Sequence, residues 1–289
     1  MRAGLALAAF GAVAFSGKAI IVKLAYRHGV DAVTLLMYRM LFALPMFAAL
    51  AWWGGRGRPA LKRHDWLAVL GLGFCGYYLA SYLDFAGLQY ITASLERLVL
   101  YLNPTLVLLL GWLLLRRRVT ARQGVAMAVS YAGIALVFGH ELRLEGRNVL
   151  LGTALVFGSA LSYAFYLVYS GQVVSRIGSL RLTGAATSVA CVLCIAQFVL
   201  LRPLAAAWVP EPVVWLSVLN AVACTFVPVL AVMLAIERVG AAMTALTGML
   251  GPLSTIAMGV VFLGEPMNAW IVAGTLLVLA GVWWLARGR

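Results

Sequence analysis

Residues 81–118 read SYLDFAGLQYITASLERLVLYLNPTLVLLLGWLLLRRR, and this stretch decides the fold. It holds the end of one apolar helix, a tight turn and a whole second helix. The second helix carries Glu96 and Arg97 inside an apolar run, meets Asn103-Pro104 near its middle, and stops at three consecutive arginines. Charges and an interrupted helix are costly in hydrocarbon unless polar groups surround them. The rest of the chain is expected to supply those surroundings.

Composition agrees. Of 289 residues, 64% are hydrophobic and 11% charged, more apolar side chain than a soluble core can hide. Ten segments reach the roughly 20 residues that a bilayer-spanning helix needs: 3–26, 32–53, 65–89, 92–115, 121–139, 149–174, 182–201, 213–236, 241–263 and 268–286. The chain therefore reads as an all-α membrane protein of ten transmembrane helices. Arg2, an apolar run and Ala12-Val13-Ala14 imitate a cleaved leader, but the run continues to Tyr26 and is read as an uncleaved first helix.

Net charge is +13, which in a soluble protein would suggest a nucleic-acid partner. Topology explains it better. With the N-terminus in the cytoplasm, fourteen loop Arg and Lys fall on that side, from Arg2 through the 56–63, 116–122 and 176–181 loops to Arg238, Arg287 and Arg289. Only Arg27, Arg143, Arg147 and Arg202 fall on the other. Positive residues mark the cytoplasmic side, so both termini are expected there. A lipid bilayer and a small-molecule substrate are the expected partners, with no nucleic acid.

The two halves repeat. A shift of 148 positions carries Ala93, Leu98, Leu102, Pro104, Gly111, Leu115, Ala132 and Gly133 onto Ala241, Leu246, Leu250, Pro252, Gly259, Leu263, Ala280 and Gly281. The repeats are expected at 1–140 and 148–289. Five helices is an odd number, so the second repeat enters the membrane inverted, an arrangement that secondary transporters use for alternating access.

Further short patterns carry a family resemblance. Lys23 closes helix 1, Gly29-Val30-Asp31 follows, and Arg39 lies early in helix 2. Ala93-Ser94 opens helix 4, which continues through Tyr101-Leu102-Asn103-Pro104, and Leu263-Gly264-Glu265 ends helix 9. The chain resembles the EamA-type members of the drug/metabolite transporter superfamily over essentially its whole length. The resemblance implies a bacterial inner-membrane exporter of amino acids or other small metabolites. One departure is the end of helix 4, Leu115-Arg116-Arg117, where such proteins often repeat Leu-Gly-Glu.

Corresponding helices broken by Gly or Pro point to a transporter's site. Here they are helix 4 at Asn103-Pro104 and helix 9 at Gly251-Pro252, which free the carbonyls of Leu100 and Gly248. Pro45 and Pro228 have no counterpart and read as kinks. Six charges fall within spans: Lys18, Lys23, Arg39, Asp84, Glu96 and Arg97. Lys23 and Arg39 lie nearest the outer surface, where long side chains snorkel or anchor. The deeper four are expected around one polar cavity between helices 1, 3 and 4, since buried charges pair or face water. Whether they bind cargo or form a structural salt-bridge network is left open by the sequence.

Aromatic and hydroxyl stripes complete the candidate substrate site. They run through Tyr78, Tyr82 and Phe85 on helix 3, through Ser159, Ser162, Tyr163 and Tyr166 on helix 6, and through Thr244, Thr247, Gly248, Gly251 and Thr255 on helix 9. The site residues singled out are Lys18, Tyr82, Asp84, Glu96, Arg97, Tyr101, Asn103, Tyr163, Tyr166 and Thr247. Arg97 is the expected carboxylate clamp, with aromatic faces from Tyr82, Tyr101 and Tyr163 beside it.

No catalytic residue, cofactor or metal is expected. No P-loop or His/Cys/acid cluster occurs. Cys191 and Cys194 have C-x-x-C spacing without a second pair or a nearby His, and read as small core residues. Two other functions stay compatible with the residues: an integral-membrane enzyme acting on lipid-linked substrates, using Asp84 and Glu96, or a non-transporting scaffold.

Overall fold

Among the described residues, eight helices are long and apolar enough to cross a bilayer, and two shorter apolar helices, Leu250–Leu263 and Ala269–Trp284, complete ten. The computed structural model describes residues 2–116, 120–145, 147–248 and 250–286. The first two spans are α1 (Arg2–Tyr26) and α2 (Ala32–Gly55). The third is α3 (Arg63–Gly73), a π-helical turn (Phe74–Leu79) and α4 (Ala80–Gly87). The fourth is α5 (Ala93–Leu100) and α6 (Asn103–Leu115), broken between them as the proline requires. Single helices α7 (Ala121–Glu145), α8 (Arg147–Ile177) and α9 (Ser179–Leu201) follow.

The eighth span is α10 (Glu211–Ala221), a π turn (Val222–Phe226) and α11 (Val227–Gly248). The ninth continues through α12 (Leu250–Met258) and a π turn (Gly259–Leu263). The tenth is α13 (Ala269–Ala286). The sequence places a loop between 236 and 241, yet helical hydrogen bonding runs through it. The contacts show that the chain still reverses there. Val239 packs on Gly4 near the start of α1, while the Gly251 carbonyl accepts from Ser16 at 2.8 Å. A straight helix would carry Gly248 about 13 Å beyond Val239, away from Ser16. The turnaround is a bend inside α11.

The inverted repeat is visible in the packing. α2 packs on α9, and α7 on α13, each pair being related by the 148-residue shift. α1 packs on α11, and its counterpart α8 packs on α4. Individual contacts repeat too. A Cβ on Gly4 would meet Val239 at 2.5 Å, and a Cβ on Gly152 would meet Ile91 at 2.7 Å. These are the same contact in the two repeats. The π turns at 74–79 and 222–226 also correspond. Pro228 follows the second, but Ala80 stands at the matching place after the first, so proline is not their cause.

Between apolar helices in lipid, close packing replaces the hydrophobic effect. Gly133 and Gly274 let α7 and α13 touch, for a Cβ on either would stand 2.6 Å from the other's carbonyl oxygen. The outer surface is apolar: Trp52, Trp53, Trp208, Val261 and Leu276 are exposed. Arg39, Asp84 and Glu96 are buried. Exposed apolar and buried charged residues together suit a protein solvated by hydrocarbon.

Candidate functional site

Asp84 and Glu96 flank the tight turn at 88–92 that joins α4 to α5. Thr92 caps α5 by accepting from the Leu95 amide at 3.1 Å. The turn brings both carboxylates to the same place, and Lys18 reaches them from α1. Its ammonium hydrogen-bonds Asp84 Oδ2 and lies 3.0 Å from Glu96 Oε1. The Lys18, Asp84 and Glu96 side chains are 13%, 4% and 0% exposed. The three meet between helices 1, 3 and 4, where the sequence placed them.

Arg97 leaves this cluster. It turns toward the second repeat and bonds Thr255 Oγ1 at 2.9 Å through Nε and the Phe15 carbonyl at 3.0 Å through Nη2. Among the described residues it makes no ion pair within 4.0 Å with a carboxylate. A guanidinium has five N–H donors, so three remain, two on Nη1 and one on Nη2. Those three form the end-on fork that fits a carboxylate.

Tyr101 sits at the break in helix 4 and donates to the carbonyl of Gly248, four residues before Pro252. The carbonyl freed by Pro252 is thus taken by the protein. Gly251 accepts from Ser16 at 2.8 Å and Thr255 at 3.2 Å. Thr247, half-buried, precedes Gly248. Asn103 opens α6, and its Oδ1 is buried with no hydrogen-bond partner among the described residues.

The aromatic candidates are dispersed. Tyr82 packs with Tyr38 and Ile195 against Val33, Met37 and Phe198, on the α2 and α9 side. Tyr163 stacks on Tyr166 with centroids 5.5 Å apart, and Tyr166 shares a 3.1 Å hydroxyl contact with Tyr77. That trio lies with Val69, Leu72 and Ile177. The structure does not bring Tyr163 to Tyr101.

Arg39 corrects an expectation. It does not snorkel to the surface. It is 7% exposed, bonds Thr225 Oγ1 at 3.1 Å and lies 5.2 Å from the Phe85 ring centroid. A hydroxyl and a π face hold the charge inside the bundle. Lys23 bonds the Ile91 carbonyl at 2.8 Å.

Glu265 has a structural role that sequence reading did not assign. Its carboxylate accepts from the Ala93 amide at 2.7 Å, the Ser94 amide at 3.2 Å and the Ser94 hydroxyl at 2.7 Å. One carboxylate from the second repeat thus caps the first helix of the first repeat's broken span. The signal was present in Leu263-Gly264-Glu265 and Ala93-Ser94, but nothing in either stretch says that they meet. An apolar groove of about 580 Å³, lined by Leu24, Arg27, Trp215 and Leu219 among others, contains none of the ten candidates.

The chain matches the EamA-like transporter family twice, over residues 2–139 and 150–287, offset by 148 positions at both ends. It is 31% identical over 285 residues to the uncharacterized transporter YcbK of Bacillus subtilis (strain 168), covering 94% of this chain and 89% of the relative. An uncharacterized transporter of Archaeoglobus fulgidus is 24% identical over 272 residues, covering 93% of this chain and 92% of the relative. A solved crystal structure shares the fold with a TM-score of 0.65 and 18% identity, over 100% of this chain and 99% of its own. With its apolar helices in two matched repeats, the chain belongs to the EamA-like transporter family of the drug/metabolite transporter superfamily, and it is a multi-pass membrane transporter rather than an enzyme.

Proposed function

We propose that the protein is a secondary transporter of the bacterial inner membrane that exports small amino-acid-like or carboxylate metabolites. Both termini lie in the cytoplasm, and the repeats at 1–140 and 148–289 rock about a central site so that its openings alternate. The observation that carries this reading is Arg97. It stands one turn before the break in helix 4, anchored by Thr255 and Phe15, with an unused fork of donors. A cargo carboxylate fits that fork. Asn103 Oδ1 adds a buried acceptor for a cargo N–H.

In this orientation the outer end is the closed one. Glu265 holds α5, Lys23 holds Ile91, Arg27 bonds the Leu263 carbonyl at 2.8 Å, and Arg202 pairs with Asp31 at 3.1 Å. Three of these bonds cross between the repeats, while Lys23 ties the end of α1 to the turn before α5, and all must loosen for release outside. The test is substrate-dependent flux in sealed proteoliposomes over a panel of amino acids and organic acids. Flux of a carboxylate-bearing compound that needs Arg97 is expected. Flux confined to cations or to compounds without a carboxyl group would overturn the reading.

A further inference from the structure

We infer that a cavity between α2 and α9 binds the phosphate of an anionic phospholipid. The site is separate from Arg97 and does not depend on what is transported. The cavity, of about 230 Å³, is lined by Ala51, Trp52, Gly55, Arg56 and Arg181. Arg56 follows the end of α2, and Arg181 stands in the first turn of α9. The two helices come from different repeats, and here they touch backbone to backbone. A Cβ on Gly54 would stand 2.6 Å from the Arg181 amide nitrogen, and one on Gly184 would stand 2.4 Å from that of Ala51. Close helix packing therefore fixes the walls of the cavity.

The two cations are held in place but not neutralised. The Arg56 guanidinium lies 3.8 Å from the Trp52 ring centroid. Stacking on the ring orients the guanidinium plane and leaves its edge donors free. Arg181 donates through Nη1 to the Pro59 carbonyl at 2.7 Å, and its Nε would stand 3.2 Å from a Cβ on Gly55. A third cation, Arg58, lies over Gly178, where a Cβ would stand 2.6 Å from its Cζ. Among the described residues, none of the three has a carboxylate within 4.0 Å. Asp65, at the start of α3, already pairs with Arg176 at 2.7 Å. Like charges gathered without a counter-charge repel one another. An anion relieves that repulsion, and two guanidiniums lining one cavity suit the several oxygens of a phosphate.

The bilayer is the source of that phosphate. Trp52 and Trp53 are 65% and 69% exposed at the end of a span, where tryptophans sit at headgroup level. Trp52 itself lines the cavity, so the site opens at that depth. Lipid phosphates are the abundant anions there, and basic pockets between helices at the cytoplasmic end of a span take lipid headgroups. This is the end that carries most of the loop arginines and lysines. A headgroup bound between Arg56 and Arg181 ties the first repeat to the second at the face opposite the Glu265 cap.

The test is native mass spectrometry of the full-length protein in neutral detergent, titrated with phosphatidylglycerol, phosphatidylcholine or inorganic phosphate. The first phosphatidylglycerol should bind about tenfold or more tighter than the first phosphatidylcholine. Arg56→Gln and Arg181→Gln should each weaken phosphatidylglycerol binding by about tenfold. Arg122→Gln removes a cation of the same membrane face outside the cavity and should leave that affinity unchanged. The wild-type comparison of the two lipids decides even if a variant does not fold. Equal affinity for both lipids would overturn the inference, as would a phosphatidylglycerol affinity unchanged in Arg56→Gln or Arg181→Gln, or an equal loss in Arg122→Gln. Inorganic phosphate that binds as tightly as the lipid would make the ligand a soluble anion and overturn it too.

Discussion

Tyr101, at the break in the fourth span, donates its hydroxyl hydrogen to the carbonyl of Gly248, four residues before Pro252 in the ninth. Pro104 and Pro252 stand at the same place in each repeat, and this bond ties the two places together. A free carbonyl in a bilayer needs a partner, and here the other repeat provides it. Tyr101→Phe keeps the ring and removes the donor. Stability in detergent should fall by about 1 kcal/mol, read as a lower thermal midpoint. An unchanged midpoint would mean that the tie contributes nothing.

The second link between repeats is Glu265 on the start of α5. Glu265→Ala leaves three donors at Ala93 and Ser94 without their acceptor. A lost helix cap costs about 1–2 kcal/mol, and the negative charge at a helix start adds to it. Glu265→Gln should lose less, since one acceptor survives. The order wild type, Gln, Ala in thermal midpoint is the expected result, and equal Gln and Ala values would contradict the capping account.

In the sequence the position matching Glu265 is Arg117, whose side chain has no acceptor, and the residue before it is strained. Arg116 has φ 52°, in the left-handed region, at the position that Gly264 (φ 72°) occupies in the second repeat. A side chain there costs about 1 kcal/mol that glycine avoids. Arg116→Gly should therefore raise the unfolding midpoint. A lower one would show that the arginine side chain makes compensating contacts.

Spans, the helix-4 break and the repeat were legible because bilayer thickness, proline chemistry and an odd helix count leave few alternatives. The meeting of Lys18, Asp84 and Glu96 was legible for the same reason, since isolated charge in hydrocarbon is too costly. Helix rotation was not. α6 and α13 are apolar all round, so no face announces which neighbour it meets. Rotation is equally unannounced for the helices of Tyr82 and Tyr163, which the structure sets in separate clusters. Nor does the sequence of α2 say that Arg39 turns inward. Its partners, Thr225 and Phe85, lie 186 and 46 positions away and are unremarkable in sequence.

Asp31, in the loop before α2, should govern part of the acid response. Burial alone would raise its pKa, but the Thr34 hydroxyl and amide and Arg202 outweigh it and hold it below the ordinary value of 3.8. A depressed carboxylate stabilises the fold fully above its unfolded pKa and loses that contribution as pH falls through the folded one. The thermal midpoint should drop below about pH 4, and Asp31→Asn should flatten that part of the curve. The same slope in both proteins would exclude Asp31 as its source.

Arg97 carries the functional reading, and its substitutions separate binding from structure. Arg97→Lys keeps the charge but loses the planar fork and the paired bonds to Thr255 and Phe15. The ammonium has three donors, and lysine cannot present two parallel ones to a carboxylate while holding both anchors. Transport of carboxylate cargo should fall by about tenfold or more, equivalent to at least about 1.4 kcal/mol. Folding should survive, because Lys18 rather than Arg97 contacts Glu96. The same geometry predicts a failed rescue. If Arg97 served only to neutralise Glu96, then Glu96→Gln would restore an Arg97→Gln protein. Since the bonds of Arg97 go to Thr255 and Phe15, the double variant should remain inactive. A double variant that transports at the wild-type rate would make the two residues a structural pair and remove Arg97 from the site.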